Sequence, residues 1–138
     1  MALRVEETDD GLDGEEGAFV ICSFCPRPYD FDPQAVPVPY NHSNVDSDEV
    51  IYYASDEFMS RKGIEFGSIT HHPDGIPHGP HPGRAEASIG AKATNELAVM
   101  MDSFRPLRVA KPAIEFEDPK YQRSWIDSDS GGFTPPTS

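Results

Sequence analysis

The stretch His42-Ser43-Asn44-Val45-Asp46-Ser47-Asp48-Glu49-Val50-Ile51-Tyr52-Tyr53 runs from turn-forming polar residues into β-branched and aromatic ones, and its reading decides the fold. Ser, Asn and Asp side chains bond to nearby backbone and favour loops. Val50, Ile51, Tyr52 and Tyr53 instead suit extended, pleated backbone. Because side chains alternate along a strand, Glu49, Ile51 and Tyr53 share one face, expected to point inward. A carboxylate thus stands at the strand entrance on the buried face, with a histidine in the loop before it.

Outward from this strand the other apolar runs are short, at 18–25, 66–70, 96–101 and 113–116, and each is strand-sized. Between them lie many of the 14 Pro and 11 Gly of the 138 residues, which exclude long helices. Residues 91–101 contain helix formers, but Val99 and the Met100-Met101 pair suit a buried strand, expected over 97–101. Arg61-Lys62-Gly63 reads as the outer end of a hairpin. Short strands separated by turns predict an all-β fold, an antiparallel β-sandwich or small barrel.

The flanks read differently. Residues 1–17 hold seven acids, Glu6, Glu7, Asp9, Asp10, Asp13, Glu15 and Glu16, against Arg4 alone, and are expected to be an acidic disordered leader. Residues 127–138, rich in Ser, Gly and Pro, are expected to be a disordered tail, leaving 18–126 as the folded domain. The formal charge of −13 argues against nucleic acid and anionic membrane surfaces as partners. No apolar run approaches the roughly 20 residues of a membrane span, and Met1 is followed by no basic-then-apolar signal, so a cytoplasmic protein is expected. Cys22 and Cys25 form the one CxxC, with no second pair to complete a four-sulfur zinc site, and read as strand residues.

All five histidines, 42, 71, 72, 78 and 81, fall within 40 residues. Two imidazoles and one carboxylate brought together from strand ends would form the 2-His-1-carboxylate set that holds ferrous iron with positions left open. Spacing alone leaves three readings: a metal site, a solvated acidic loop with unrelated histidines, and acid–base chemistry without metal.

The residues from His42 to Glu49 resemble the first cupin motif, with Asn44 where a second histidine often stands. Gly67, five residues, Pro73-Asp74-Gly75-Ile76-Pro77-His78 follow the second cupin pattern. That resemblance implies a cupin-like fold, with an incomplete barrel as one form of it, and makes His42, Glu49 and His78 the metal ligands. In it Gly67 would admit a bulge or close neighbour, and Gly75 a positive φ that turns His78 inward.

Three segments are more specific: Pro37-Val38-Pro39-Tyr40-Asn41-His42-Ser43-Asn44, Gly75-Ile76-Pro77-His78-Gly79-Pro80, and Glu96-Leu97-Ala98-Val99-Met100-Met101-Asp102-Ser103-Phe104-Arg105-Pro106-Leu107. Together they resemble the C-terminal cupin portion of the homogentisate 1,2-dioxygenase family. The resemblance implies Fe(II) as cofactor, with molecular oxygen and homogentisate as substrates, the aromatic ring being opened in tyrosine and phenylalanine catabolism. It implies His72 or His71 as a catalytic contact to substrate or oxygen, and leaves His81 at the rim. Familiar members place the glutamate six residues after the first histidine, where Asp48 stands, so Asp48 rivals Glu49. Arg105 or Lys62 would attract an anionic substrate, if not simply surface residues. Family members also carry an upstream region with a histidine base. The resemblance leaves three readings of the chain, a fragment, a truncated gene product or a metal-binding remnant, active only if that region is dispensable or supplied by another chain, and a homo-oligomer is one expected state. The alternative is a noncatalytic metal-binding cupin module with a structural or assembly role.

Overall fold

The computed structural model describes residues 2–4, 19–29 and 32–126. Its strands are β1 (Ala2–Arg4), β2 (Phe19–Phe24), β3 (Arg27–Pro28), β4 (Asp48–Tyr53), β5 (Ile69–His72), β6 (Ala93–Thr94) and β7 (Ala98–Ser103). One short helix, α1 (Arg84–Ser88), and two 3₁₀ helices, Lys111–Phe116 and Tyr121–Arg123, complete the regular structure. Five strands form an open antiparallel sheet in the order β1-β2-β7-β4-β5, and β3 pairs with β6 in a second, two-stranded sheet. The fold is all-β, a cupin-like antiparallel sandwich and not a closed barrel. Beyond β1, the expected leader lies outside the described residues, as does the expected tail at 127–138.

The register explains the placement of core and site. Across the main sheet, Glu49 lies between His72 and Asp102, Ile51 between Thr70 and Met100, and Tyr53 beside Ala98. Paired residues point to the same face, so this face grades from charged at one end to apolar at the other. At the apolar end Ile51, Tyr53, Phe58 and Ala98 form the core, with Phe24, Ile64 and Met100 packed against it. Phe58 meets Phe24 and Tyr53 edge-on at 5.3 and 5.0 Å between ring centres. Each large side chain buried here contributes about 1.5–3 kcal/mol relative to exposure. The Tyr53 hydroxyl, deep in this cluster, shares a 3.0 Å hydrogen bond with Thr70, so its polar end is satisfied.

Glu49, Ile51 and Tyr53 are all buried, while Tyr52 on the opposite face is exposed, as the alternation predicts. The expected strands over 18–25, 49–54 and 97–101 are β2, β4 and β7 to within a few residues. Three expectations need correction. Residues 113–116 lie in a 3₁₀ helix, because Pro112 at its start donates no N–H to a ladder and fixes a helical φ. The run at 66–70 becomes a strand only at Ile69, since Gly67 holds a turn with φ 88° and donates its N–H to the Tyr53 carbonyl at 2.8 Å. Open space surrounds Gly67, so its left-handed backbone, not a close neighbour, requires glycine. Arg61, expected at an outward hairpin tip, is 4 % exposed.

No described helix is long and apolar enough to cross a membrane. Cys22 is buried in β2 and Cys25 half-buried, and both are free thiols.

Candidate metal centre

The site begins with a backbone device. His42 and His78 face each other in an isolated antiparallel bridge. Each donates its N–H to the other's carbonyl, at 2.9 and 2.8 Å. Gly75 makes this pairing reachable: with φ 69° it turns the chain between Pro73 and His78, and its N–H bonds the Asn44 carbonyl at 2.7 Å. Gly79 lets the two segments touch, since a Cβ there would lie 2.3 Å from the Asn41 side-chain oxygen and 2.7 Å from Asn41 Cα.

Side-chain orientation follows the same logic at both histidines. His42 Nδ1 lies 2.9 Å from the Tyr40 carbonyl, and His78 Nδ1 lies 3.0 Å from the Ile76 carbonyl. A carbonyl only accepts, so each Nδ1 carries the proton and each Nε2 presents a lone pair. The two ring centres are 4.6 Å apart. One ligand atom from each of His42, Glu49 and His78 can be chosen so that all three lie within 4.8 Å of one another. His78 Nε2 is buried, has no hydrogen-bond partner, and stands 3.5 Å from Glu49 Oε2. A buried imidazole lone pair facing a carboxylate is an unsatisfied pair of acceptors, and a cation between them would satisfy both. The donors present therefore fit a divalent metal.

Electrostatics agree. Burial alone would raise the Glu49 carboxyl, but His72 and His78 outweigh it and hold the group far below the ordinary carboxylate range. Contact with Glu49 raises the His78 pKa against the opposing effect of burial, so without a metal the pair competes for a proton in its place. Asp102, the β7 neighbour of Glu49, is pushed up by burial and by Glu49, and its Oδ1 lies 3.4 Å from the Asn44 amide nitrogen.

Asp48 is not brought to the site. It points to the other face of β4, where its carboxylate accepts the backbone N–H of Asp74 at 2.9 Å and of Leu107 at 2.7 Å. His71 also lies on that other face, with Nε2 3.1 Å from Asp48 Oδ2, so alternation along β5 carries it away from the three converging residues. His72 is on the site face, its Nδ1 2.8 Å from Glu49 Oε1 and its ring stacked on His78 at 4.4 Å. Burial lowers its pKa despite Glu49.

Sequence reasoning missed the roof over His72. The Tyr121 hydroxyl lies 3.4 Å from His72 Nε2, and burial pushes its pKa up to about 12. His81, expected at the rim, is only 1 % exposed and anchors this roof. It stacks on Trp125 at 3.9 Å between ring centres, and its Nε2 lies 2.7 Å from Ser124 Oγ. No local pattern links Tyr121 to His72, 49 residues away. Lys62 instead bonds the Pro82 carbonyl at 2.8 Å.

No family profile matches the chain. Over 112 residues, 80 % of its length, it is 45 % identical to a Saccharolobus solfataricus protein named "Putative dioxygenase SSO1533", and spans 29 % of that relative's length. A shorter match of 24 residues, 17 % of this chain, is 75 % identical to a trehalase of Mycolicibacterium smegmatis and spans 4 % of it. The longer likeness is to a protein whose name gives it as a dioxygenase, and the His42, Glu49 and His78 cluster of this chain could hold a metal ion.

Proposed function

We propose that this chain carries the iron site of a homogentisate 1,2-dioxygenase-like enzyme, with His42, Glu49 and His78 as the ligands of Fe(II). The observation that carries this reading is the orphaned His78 Nε2 beside Glu49 Oε2, with His42 completing the trio. Two neutral imidazoles and one carboxylate are the donor set suited to ferrous iron that keeps positions open. Bound there, iron would supply the oxygen chemistry that opens an aromatic ring. The protein's residues then have separable tasks. Tyr40 and Ile76 carbonyls fix both histidine tautomers, and His72 holds Glu49 Oε1. His72 Nδ1–H donates to Glu49, so Nε2 accepts, and the Tyr121 contact to it is long enough for a substrate hydroxyl to compete as donor, which keeps His72 as the catalytic contact in this reading.

A second reading is a noncatalytic metal-binding module, in which His42, Glu49 and His78 hold a metal for a structural or assembly role. One preparation tests both. Anaerobic Fe(II) titration followed by homogentisate-dependent oxygen uptake is expected to give one iron per chain and then consumption of oxygen. Iron without uptake supports the module, and no specific iron binding overturns both. A homo-oligomer is part of the proposal, supported by sheet edges at β1 and β5 that pair with no further strand among the described residues and by exposed Tyr52, Ile69 and Val99 on the outer face. Solution mass at high dilution tests it.

A further inference from the structure

Away from the metal centre, a cavity of about 190 Å³ is walled by Phe58, Ile64, Arg61 and Arg84. None of His42, Glu49 or His78 lines it. Arg61 is the anomaly: it is 4 % exposed, and among the described residues no carboxylate lies in ion-pair range of it. One terminal nitrogen donates to the Gly79 carbonyl and Ser60 Oγ, and the guanidinium also meets the neutral Tyr53 and Tyr121 hydroxyls, while Nε has no partner. Arg84 repeats the pattern, with a buried Nε that also bonds nothing. Two unpartnered guanidinium N–H groups thus belong to residues that line one cavity, which leaves a buried cation without an ion pair and two donors without acceptors. A single oxyanion supplies both, since guanidinium N–H groups bind carboxylate or phosphate oxygens through charge-assisted hydrogen bonds.

We propose that this cavity is a binding site for the oxyanion head, carboxylate or phosphate, of a small metabolite, held between Arg61 and Arg84. Phe58 and Ile64 contact its apolar part. Asp56 and Glu57 also line the cavity and are exposed, so the part of the ligand that meets them is neutral or cationic. The site stands independently of the iron reading.

Trp125 is the single tryptophan of the chain, and its ring centre lies 5.8 Å from Arg61 Cζ, so its emission reports on this charge. The full chain is titrated with acetate, glycine and phosphate, with chloride at matched ionic strength as control. Acetate or phosphate is expected to give a saturable change that chloride does not, and whichever is tighter identifies the head group. Glycine is expected to bind at least as tightly as acetate because of the acidic rim, and markedly weaker glycine overturns that part. Arg84→Met, at a half-buried position, is expected to raise the dissociation constant about tenfold or more while leaving ferrous stoichiometry unchanged. A linear, chloride-like response, or Arg84→Met titrating as the parent does, overturns the site and leaves those nitrogens to water.

Discussion

His42 and His78 are direct partners in an antiparallel bridge, so the backbone sets their spacing, and the carbonyls that accept from each Nδ1 fix where the rings stand. In the proposed iron site, two residues 36 positions apart in the chain would thus act as one preformed pair of ligands, to which β4 adds Glu49. Metal binding then costs little reorganisation, which is what a site held on rigid elements achieves.

Gly79 is the weakest point of that unit. A methyl group at Gly79 would meet the Asn41 backbone as well as its side chain, so the two segments must separate. Gly79→Ala is expected to cost about 1–3 kcal/mol in urea unfolding. Ferrous affinity should fall with it, because the bridge that spaces the imidazoles is wedged open. Anaerobic titration checks the second effect, and unchanged affinity would show that the bridge does not set the site.

Asp48 and Glu49 are adjacent carboxylates with opposite expected roles. Asp48 ties Asp74 and Leu107 to β4 through their N–H groups, whereas Glu49 sits between His72 and His78. Asp48→Asn should destabilise the fold by roughly 1–3 kcal/mol yet keep iron binding. Glu49→Gln should abolish stoichiometric iron binding, since it removes the anionic donor. Measuring urea midpoints and metal content on both variants distinguishes the two carboxylates, and reversed outcomes would move the ligand to Asp48.

His72 is expected to position Glu49. Its Nδ1 occupies Glu49 Oε1, leaving Oε2 toward His78. His72→Ala should weaken ferrous affinity roughly 10- to 100-fold, as loss of a hydrogen bond to a ligating group does. Tyr121→Phe should weaken it less, because the phenol acts on Glu49 only through His72. Equal affinities in parent and both variants would remove His72 from any role at the metal.

Strand β4 was legible because Val50, Ile51, Tyr52 and Tyr53 agree locally on extended backbone, and alternation then placed Glu49 with the core. The same alternation, applied to His71 and His72, shows that one of the pair must face away, but which one depends on the β4–β5 register, a long-range property. Asp48 rivalled Glu49 only through the spacing of the resembled family, whereas alternation along β4 already set Glu49 on the face of Ile51 and Tyr53. Arg61 read as a hairpin tip since Arg-Lys-Gly is a turn sequence, and its burial comes from the later segment carrying Trp125 folding over it. Residues 113–116 misled because Ile and Phe suit strands, yet no sheet edge among the described residues pairs with them, and Ile114 and Phe116 remain exposed.

The closing segment over the site should loosen in acid because of His81. The Lys62 N–H points at His81 Nδ1 at 3.3 Å, so Nδ1 is the acceptor and Nε2–H donates to Ser124 Oγ. Protonation would set two N–H groups against each other. Burial, then the charge of Arg61, lowers the pKa from 6.5 to about 4. Between those values the unfolded chain binds a proton that the folded chain refuses, so stability is complete above pH 6.5 and declines as the pH falls toward 4. The loss is roughly 3 kcal/mol. Urea unfolding of the metal-free chain across that range, compared with His81→Phe, isolates this contribution from that of the carboxylates. The variant should start less stable, having lost the Ser124 bond, and should lose less on acidification. Parallel curves would mean that His81 titrates normally and that the segment is held by Trp125 stacking alone.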